Sequence, residues 1–254
     1  MINDIIDIAI EAGKKVMGIY NSSYTIHEKS DQSPLTIADQ LSHDFIQTEL
    51  MKLDVTIPIL SEEGAHIPYT ERKNWSSFWL IDPLDGTKEF IKKNGEFTIN
   101  IALIQGQQPV LGVIYAPYLD TLYYAEKTKG TYKLPQASSS TVRPIKIPDA
   151  FSSEKKVIIS RSHLSDATRD YLEALQQHEG KLAFTSIGSS LKFCLIAEGS
   201  AQFYPRLAPT MEWDTAAGQI IVEEAKGQVL VSDTGQPLVY NKEILTNPFF
   251  ICTR

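Results

Sequence analysis

Asp82-Pro83-Leu84-Asp85-Gly86-Thr87 follows the apolar run Phe78-Trp79-Leu80-Ile81 and precedes Lys88-Glu89-Phe90-Ile91, whose spacing predicts a short helix. Both acids are therefore expected at a strand-to-helix turn. Two carboxylates three residues apart in such a turn repel each other unless a cation lies between them, and an all-oxygen ligand set favours a hard ion such as Mg²⁺. Pro83 stiffens the turn and Gly86 lets the backbone come close to a ligand. The N–H groups after Gly86 would face outward at a helix start, where a phosphate is favoured. The plain alternative is a polar turn, since Asp, Pro and Gly are the commonest turn residues. Five specified positions arise by chance in only roughly 10⁻⁴ of chains of this length, so the chemical reading is preferred for the motif as a whole.

Working outward, Ile2, Ile5, Ile6, Ala9, Val16 and Met17 recur at helical spacing and predict an amphipathic helix over 2–20. Ser33-Pro34-Leu35-Thr36-Ile37-Ala38-Asp39 reads as a second helix start, with Thr36 as N-cap, Asp39 three residues on, and Ile37, Leu41 and Phe45 as the apolar stripe of a helix reaching about Lys52. After the motif, strand-like runs at 97–104, 110–115 and 121–125 are joined by turn signals at Gln105-Gly106 and Ala116-Pro117, which implies an antiparallel meander. Pro135 to Ala150 is rich in Ser, Thr and Pro and is the candidate boundary, with room for a strand around 142–147. Beyond it, strands at 157–160, 182–186, 201–204 and 229–231 alternate with helices at 164–175, 191–197 and 213–225. That rhythm marks an α/β half. The expected division is an α+β half over 1–150, with the acidic motif and the antiparallel sheet, and an α/β half over 151–254 with the specificity residues.

The whole chain of 254 residues suits one large domain or two small ones sharing a core. With 43% hydrophobic and 22% charged residues it is neither disordered nor collagen-like. Its 24 basic against 31 acidic residues, a net charge of −7, argue against a nucleic-acid or anionic-membrane surface. An anionic ligand would have to be held by something other than net charge. Cys194 and Cys252 are too few for a disulfide framework and too far apart for a zinc spacing, which points to a reducing compartment. Acids in the first seven residues stand where a signal peptide carries bases, and no apolar run approaches about 18 residues. A cytoplasmic location is expected, with attachment to the inner face of a membrane through partners left open.

Two further acidic elements matter by their company. Ser61-Glu62-Glu63-Gly64 ends the apolar run 57–60, and Glu212-Trp213-Asp214-Thr215-Ala216-Ala217-Gly218 places Asp214 at a helix start whose small residues permit close packing. Taken singly, the first is solvated charge and the second a helix cap. Lys192 alone would be a solvated helix position and His163 a loop residue. Tyr123-Tyr124, Phe249-Phe250, Trp75 and Trp79 read as packing residues, and Cys194 as a small buried hydrophobe.

Together and in this order, Glu62-Glu63, Asp82 to Thr87 and Trp213-Asp214 with its Ala-Ala-Gly tail resemble the inositol monophosphatase superfamily of Mg²⁺-dependent, Li⁺-sensitive phosphatases. Gly188-Ser189-Ser190-Leu191-Lys192-Phe193-Cys194, Ala197-Glu198-Gly199, Tyr204-Pro205-Arg206, Ser160-Arg161-Ser162-His163 and Ser33-Pro34-Leu35-Thr36 look like the bacterial 3′(2′),5′-bisphosphate nucleotidases within it. Met211-Glu212 is less familiar and is expected to adjust the substrate pocket. The resemblance implies a layered αβαβα sandwich of the inositol monophosphatase and fructose-1,6-bisphosphatase type. It implies that Glu62, Asp82 and the carbonyl of Leu84 bind one Mg²⁺, that Asp82, Asp85 and Asp214 bind a second, and that Asp39 serves a weaker third and, with Thr87 and Glu62, the attacking water. Glu62, Leu84, Asp85, Gly86, Thr87 and Asp214 would surround the scissile phosphate, and His163, Ser189, Lys192 and Arg206 the ribose or second phosphate. The activity so implied is hydrolysis of adenosine 3′,5′-bisphosphate to AMP and phosphate by a metal-activated water, clearing a by-product of sulfate assimilation. An inositol or sugar-phosphate monophosphatase and a non-catalytic, metal-gated nucleotide binder are the alternatives. The partner expected is a small nucleoside bisphosphate, not nucleic acid; the oligomeric state is open.

Overall fold

Phe78-Trp79-Leu80-Ile81 is apolar throughout because both faces of its strand are covered. A computed structural model describes residues 1–22, 26–28, 34–64, 66–148, 155–159 and 165–254. The chain forms α1 (Ile2–Tyr20), β1 (Ile26–Glu28), β2 (Pro34–Thr36), α2 (Ile37–Leu53), β3 (Ile59–Ser61), α3 (Tyr69–Arg72), β4 (Ser77–Asp85) and α4 (Thr87–Ile91). Next come β5 (Thr98–Gln105), β6 (Gln108–Ala116), β7 (Thr121–Glu126), β8 (Gly130–Pro135) and β9 (Ile145–Lys146). The remainder is β10 (Lys156–Ile159), α5 (Asp166–Glu179), β11 (Ala183–Ser186), α6 (Leu191–Ala197), β12 (Phe203–Arg206), a 3₁₀ turn at Glu212–Asp214, α7 (Ala216–Glu224), β13 (Gln228–Val231) and β14 (Phe250–Thr253).

The larger sheet has the order β3-β4-β5-β6-β7-β8-β9. Its members pair antiparallel from β4 onward, the expected meander, while β3 joins β4 in parallel. The smaller sheet has the order β11-β10-β12-β14-β13, with β10 parallel to both neighbours and β14 antiparallel to both of its own. Because side chains alternate across a strand, β4 feeds two cores. Trp79 and Ile81 join Ile101, Val113 and the α1–α2 residues Ile5, Ala9, Val16 and Ile46 on one face. Phe78 and Leu80 join Ala102, Ile114, the α7 residues Ala217 and Ile221, and Val229, Phe250 and Cys252 of the second sheet on the other. The α6–α7 pair thus lies between the sheets and α5 lies against the far sheet at β12. The layers run helix, sheet, helix, sheet, helix.

Several local expectations change. The strand continues through the acidic motif to Asp85, leaving Gly86 alone as the turn, and a register shift between Asp82 and Asp85 marks a bulge. Pro83, which cannot donate to a ladder, is tolerated there. Trp213 to Ala225 is no single helix: a 3₁₀ turn ends at Asp214 before α7 begins. The apolar stripe assigned to α2 is largely outside, since Ile37 and Leu41 are about 40% exposed, and its buried face is Ala38, Asp39, Ser42, His43, Ile46 and Leu50. Phe250 is buried in β14 whereas Phe249 is exposed.

The contact between β6 and α7 depends on Gly112, where a Cβ would stand 2.5 Å from Ile220 Cγ2 and 2.8 Å from the Ala217 carbonyl oxygen. Overpacking of this kind costs about 1–3 kcal/mol. Gly112→Ala should lower the melting temperature by roughly 2–4 °C per kcal/mol lost, and an unchanged Tm in calorimetry would show that α7 is free to move away.

Candidate active site

Three elements bring three acids together. The parallel pairing of Ser61 with Ile81 sets Glu62 just beyond β3, its N–H donating to Ile81 O at 3.3 Å, beside the end of β4 where Asp82 sits. Asp82 keeps the alternation of Phe78 and Leu80, so it faces the inter-sheet layer from which the 3₁₀ turn presents Asp214. Glu62, Asp82 and Asp214 each offer a carboxylate oxygen, and these lie within 4.8 Å of one another.

The electrostatics of this trio are severe. Asp82 is fully buried; its Oδ1 accepts from Leu84 N–H at 3.2 Å and its Oδ2 has no hydrogen-bond partner among the described residues. Burial, and then repulsion from Glu62, Asp85, Asp214 and Asp39, drives its carboxyl well above the usual range. Asp214 is pushed up to about 8 by burial and Asp85, against the pull of the Met211 N–H, which donates to its Oδ2 at 2.8 Å. Buried carboxylates in such a cluster hold either protons or a cation. An orphaned oxygen among converging carboxylates fits a hard divalent ion.

The remaining expected residues surround the trio. Asp85 stands just outside it: Ser190 Oγ lies 2.7 Å from Asp85 Oδ2 and 3.0 Å from the Asp214 carbonyl, and accepts from Asn100 Nδ2 at 2.9 Å. The Leu84 side chain is buried while its carbonyl lies 3.3 Å from Thr87 Oγ1. Thr87 Oγ1 is 3.5 Å from Asp39 Oδ2, a loose contact from the first turn of α2. Gly86 has φ +93°, and a Cβ there would stand 3.0 Å from Glu96 O and 3.3 Å from Ser189 Cβ. Ser189, with φ +49°, occupies a left-handed conformation uncommon outside glycine.

A cleft of about 140 Å³ opens beside Asp85 and Asp214, with Gly86, Ser189, Lys192 and Arg206 in its walls. Lys192 is buried and donates to the Ser189 carbonyl at 2.8 Å; burial lowers its pKa and Asp85 opposes that shift. Arg206 donates through Nη2 to Pro209 O at 2.7 Å, and its Nε has no partner among the described residues. His163, with the rest of 160–164, and Ser33 lie outside the described residues. Glu212 does not shape the cleft, contrary to expectation: fully buried, it accepts from Asn241 N–H at 2.7 Å, Lys242 N–H at 3.0 Å and Lys242 Nζ at 2.6 Å. Ser190 and Asn100 were missed. Both had a signal: Ser190 stands in the motif run 188–194, and Asn100, with Thr98, is polar inside the apolar run 97–104.

The raised carboxyls set a sign for pH dependence. A group that binds its proton more tightly when folded stabilises the chain below its unfolded pKa and loses that contribution as pH rises through the folded one. In chelator, Tm should therefore fall as pH rises from about 4 to about 8, and a saturating divalent cation should flatten that fall. Scanning fluorimetry giving equal slopes with and without the cation would refute the metal assignment.

Residues 1–248 match the sequence model of the Inositol monophosphatase family. The chain is 44% identical over 256 residues to the 3′(2′),5′-bisphosphate nucleotidase CysQ of Salmonella typhimurium, covering 100% of this chain and 99% of that protein. It is 42% identical over 253 residues to the protein of the same name from Escherichia coli strain K12, covering 98% of each. Among solved structures, CysQ from Bacteroides thetaiotaomicron matches with a TM-score of 0.87 at 43% identity, over 99% of this chain and 96% of that one. The extragenic suppressor protein suhB from Bartonella henselae, at 24% identity and a TM-score of 0.78 over 99% and 93%, shares the fold. With the acid trio and the layered architecture, these matches make the chain a member of the inositol monophosphatase family.

Proposed function

We propose that this chain is a Mg²⁺-dependent phosphoric monoester hydrolase, a 3′(2′),5′-bisphosphate nucleotidase that converts adenosine 3′,5′-bisphosphate to AMP and phosphate. The observation that carries this reading is the juxtaposition of the carboxylate trio with a cleft whose other wall holds the buried Lys192 and Arg206. A substrate with two phosphates suits a site with two different anion-holding ends. The nucleotidase names of relatives above 40% identity support the same substrate class.

Glu62, Asp82 and the Leu84 carbonyl would hold one Mg²⁺, Asp82, Asp85 and Asp214 a second, and Asp39 would serve a weaker third. Bound there, such ions offset the negative charge of the phosphate, acidify a water and favour departure of the ester oxygen. The chain's own part is positioning. Thr87 Oγ1, between the Leu84 carbonyl and Asp39, orients the attacking water, with Asp39 and Glu62 as proton acceptors within the cluster. The N–H groups of Gly86 and Thr87 face the phosphate oxygens. Ser189, Lys192, Arg206 and His163 take the ribose and the other phosphate. Direct attack by water requires inversion at a chiral phosphorus. Cys194 and Cys252 are both buried free thiols, which fits the reducing cytoplasm; no helix among the described residues is long and apolar enough to cross a membrane.

Steady-state phosphate release at matched Mg²⁺ should give a kcat/KM for adenosine 3′,5′-bisphosphate at least about tenfold above those for inositol monophosphate and fructose bisphosphate, a difference of about 1.4 kcal/mol. A preference for inositol monophosphate would replace the reading with that of an inositol phosphatase, and binding without turnover would make the chain a nucleotide binder. Loss of a charge-assisted hydrogen bond costs about 1.5–3 kcal/mol. Lys192→Met should accordingly raise KM for the bisphosphate roughly 10–100-fold and leave hydrolysis of adenosine 3′-monophosphate nearly unchanged; equal effects on both would remove Lys192 from the second-phosphate end.

A further inference from the structure

Half of the buried face of α2 is polar, Asp39, Ser42 and His43 standing beside Ala38, Ile46 and Leu50, where a helix packed on a core would ordinarily be apolar. Asp39, Ser42 and His43 lie at spacings of three and four, on one side of the helix, and they are 1%, 0% and 5% exposed. Each reaches a different part of the acid-bearing scaffold. Asp39 approaches Thr87 Oγ1. Ser42 Oγ donates to the Pro83 carbonyl at 2.7 Å, and His43 Nδ1 is 2.8 Å from Ser61 Oγ.

The Ser42 contact leads directly to the orphaned carboxylate. The Pro83 carbonyl and the Leu84 N–H belong to one peptide plane, so a hydroxyl fixing the first fixes the direction of the second. That N–H donates to Asp82 Oδ1 at 3.2 Å, while Oδ2 of the same carboxylate has no partner among the described residues. Ser42, the Pro83–Leu84 peptide and Asp82 thus form one hydrogen-bonded line, in which each bond polarises the next. It determines which oxygen of Asp82 is engaged by protein and which is left for a ligand. The His43 contact works one residue from Glu62, because Ser61 is the last residue of β3. Strand ends are where register is most easily lost, and this bond ties the end of β3 to α2.

We infer that Ser42 and His43 are positioning residues for the cation site, Ser42 acting on Asp82 through the Pro83–Leu84 peptide and His43 acting on Glu62 through Ser61. This rests on the reading that the trio holds Mg²⁺. Outer-sphere partners of metal ligands typically contribute 10–100-fold in affinity. The test is calorimetric titration of the full chain with Mg²⁺ alone, without substrate, for wild type, Ser42→Ala, Ser61→Ala, His43→Leu and His43→Asn, with Tm measured on each. Ser42→Ala and Ser61→Ala remove one oxygen apiece and are the variants expected to fold. Each should bind Mg²⁺ about tenfold or more weakly, and His43→Asn, which keeps a polar atom near the Nδ1 position, should retain affinity that His43→Leu loses. Lowered Tm with wild-type Mg²⁺ affinity in Ser42→Ala and Ser61→Ala would make the contacts merely structural and overturn the inference. Failure of the wild-type chain to bind Mg²⁺ would instead overturn the reading of the trio.

Discussion

A carboxyl group with no exposure, facing four others, is the condition around which this molecule is arranged. Taking an ion out of water costs several kcal/mol even after relaxation, and like charges add to it. Asp82 accepts a single hydrogen bond among the described residues, from Leu84 N–H at 3.2 Å, so local satisfaction does not offset that cost. The apolar strand behind it does, by being unable to move. Phe78 and Leu80 are locked into the core between the sheets, Trp79 and Ile81 into the core under α1 and α2. A carboxylate on a pliant loop would swing to solvent; one at the end of a strand packed on both faces cannot.

The same rigidity extends to the other end of the site through the layer between the sheets. Gly218 lies so close to Phe193 that a Cβ there would stand 2.4 Å from the ring. This close packing of α7 on α6 sets the separation between Asp214, just before α7, and Ser189 to Lys192, at the start of α6. Ser190 then closes the gap by hydrogen bonds to Asp85 and the Asp214 backbone. The acid trio and the cleft wall at Ser189 to Lys192 are therefore joined by packing as well as by polar contacts, and the Ala-Ala-Gly run after Asp214 has its meaning in that approach.

What was legible in the sequence followed from local chemistry. Apolar periodicity located β4 to β7 of the meander, though not β8, and the helix of residues 191–197, because burial on a face leaves a period. It misjudged the face of α2, since the pattern of Ile37, Leu41 and Phe45 says which residues are apolar and not which side meets the core; the inner side carries Asp39, Ser42 and His43 among Ala38, Ile46 and Leu50 because part of it meets the acids. Glu62, Asp82 and Asp214 were findable as motifs, but the position of Asp85 outside the trio was not, because it depends on the bulge in β4 and on Ser190, far away in the chain. Glu212 was misplaced for a similar reason. Its partners Asn241 and Lys242 come from a loop that carries no periodic signal. Short β1, β2 and β3 escaped because three residues apiece give too little pattern to read, whereas β9 falls within the strand expected around 142–147.

A chain of net charge −7 that takes a multiply charged anion needs local fields to outweigh the global one. Lys192 shows how the two ends share this task. Burial disfavours its ammonium form, and Asp85, Glu89 and Asp214 are the groups that favour it. The acids that repel a phosphate therefore also favour the charged form of a lysine that would attract one. A cation settling among the carboxylates reduces that support, and an anion arriving at Lys192 restores it. If the carboxylates take a cation and Lys192 a phosphate, filling one end changes the charge that the other faces, so the two affinities are linked through these side chains, and by reciprocity to the same extent in both directions.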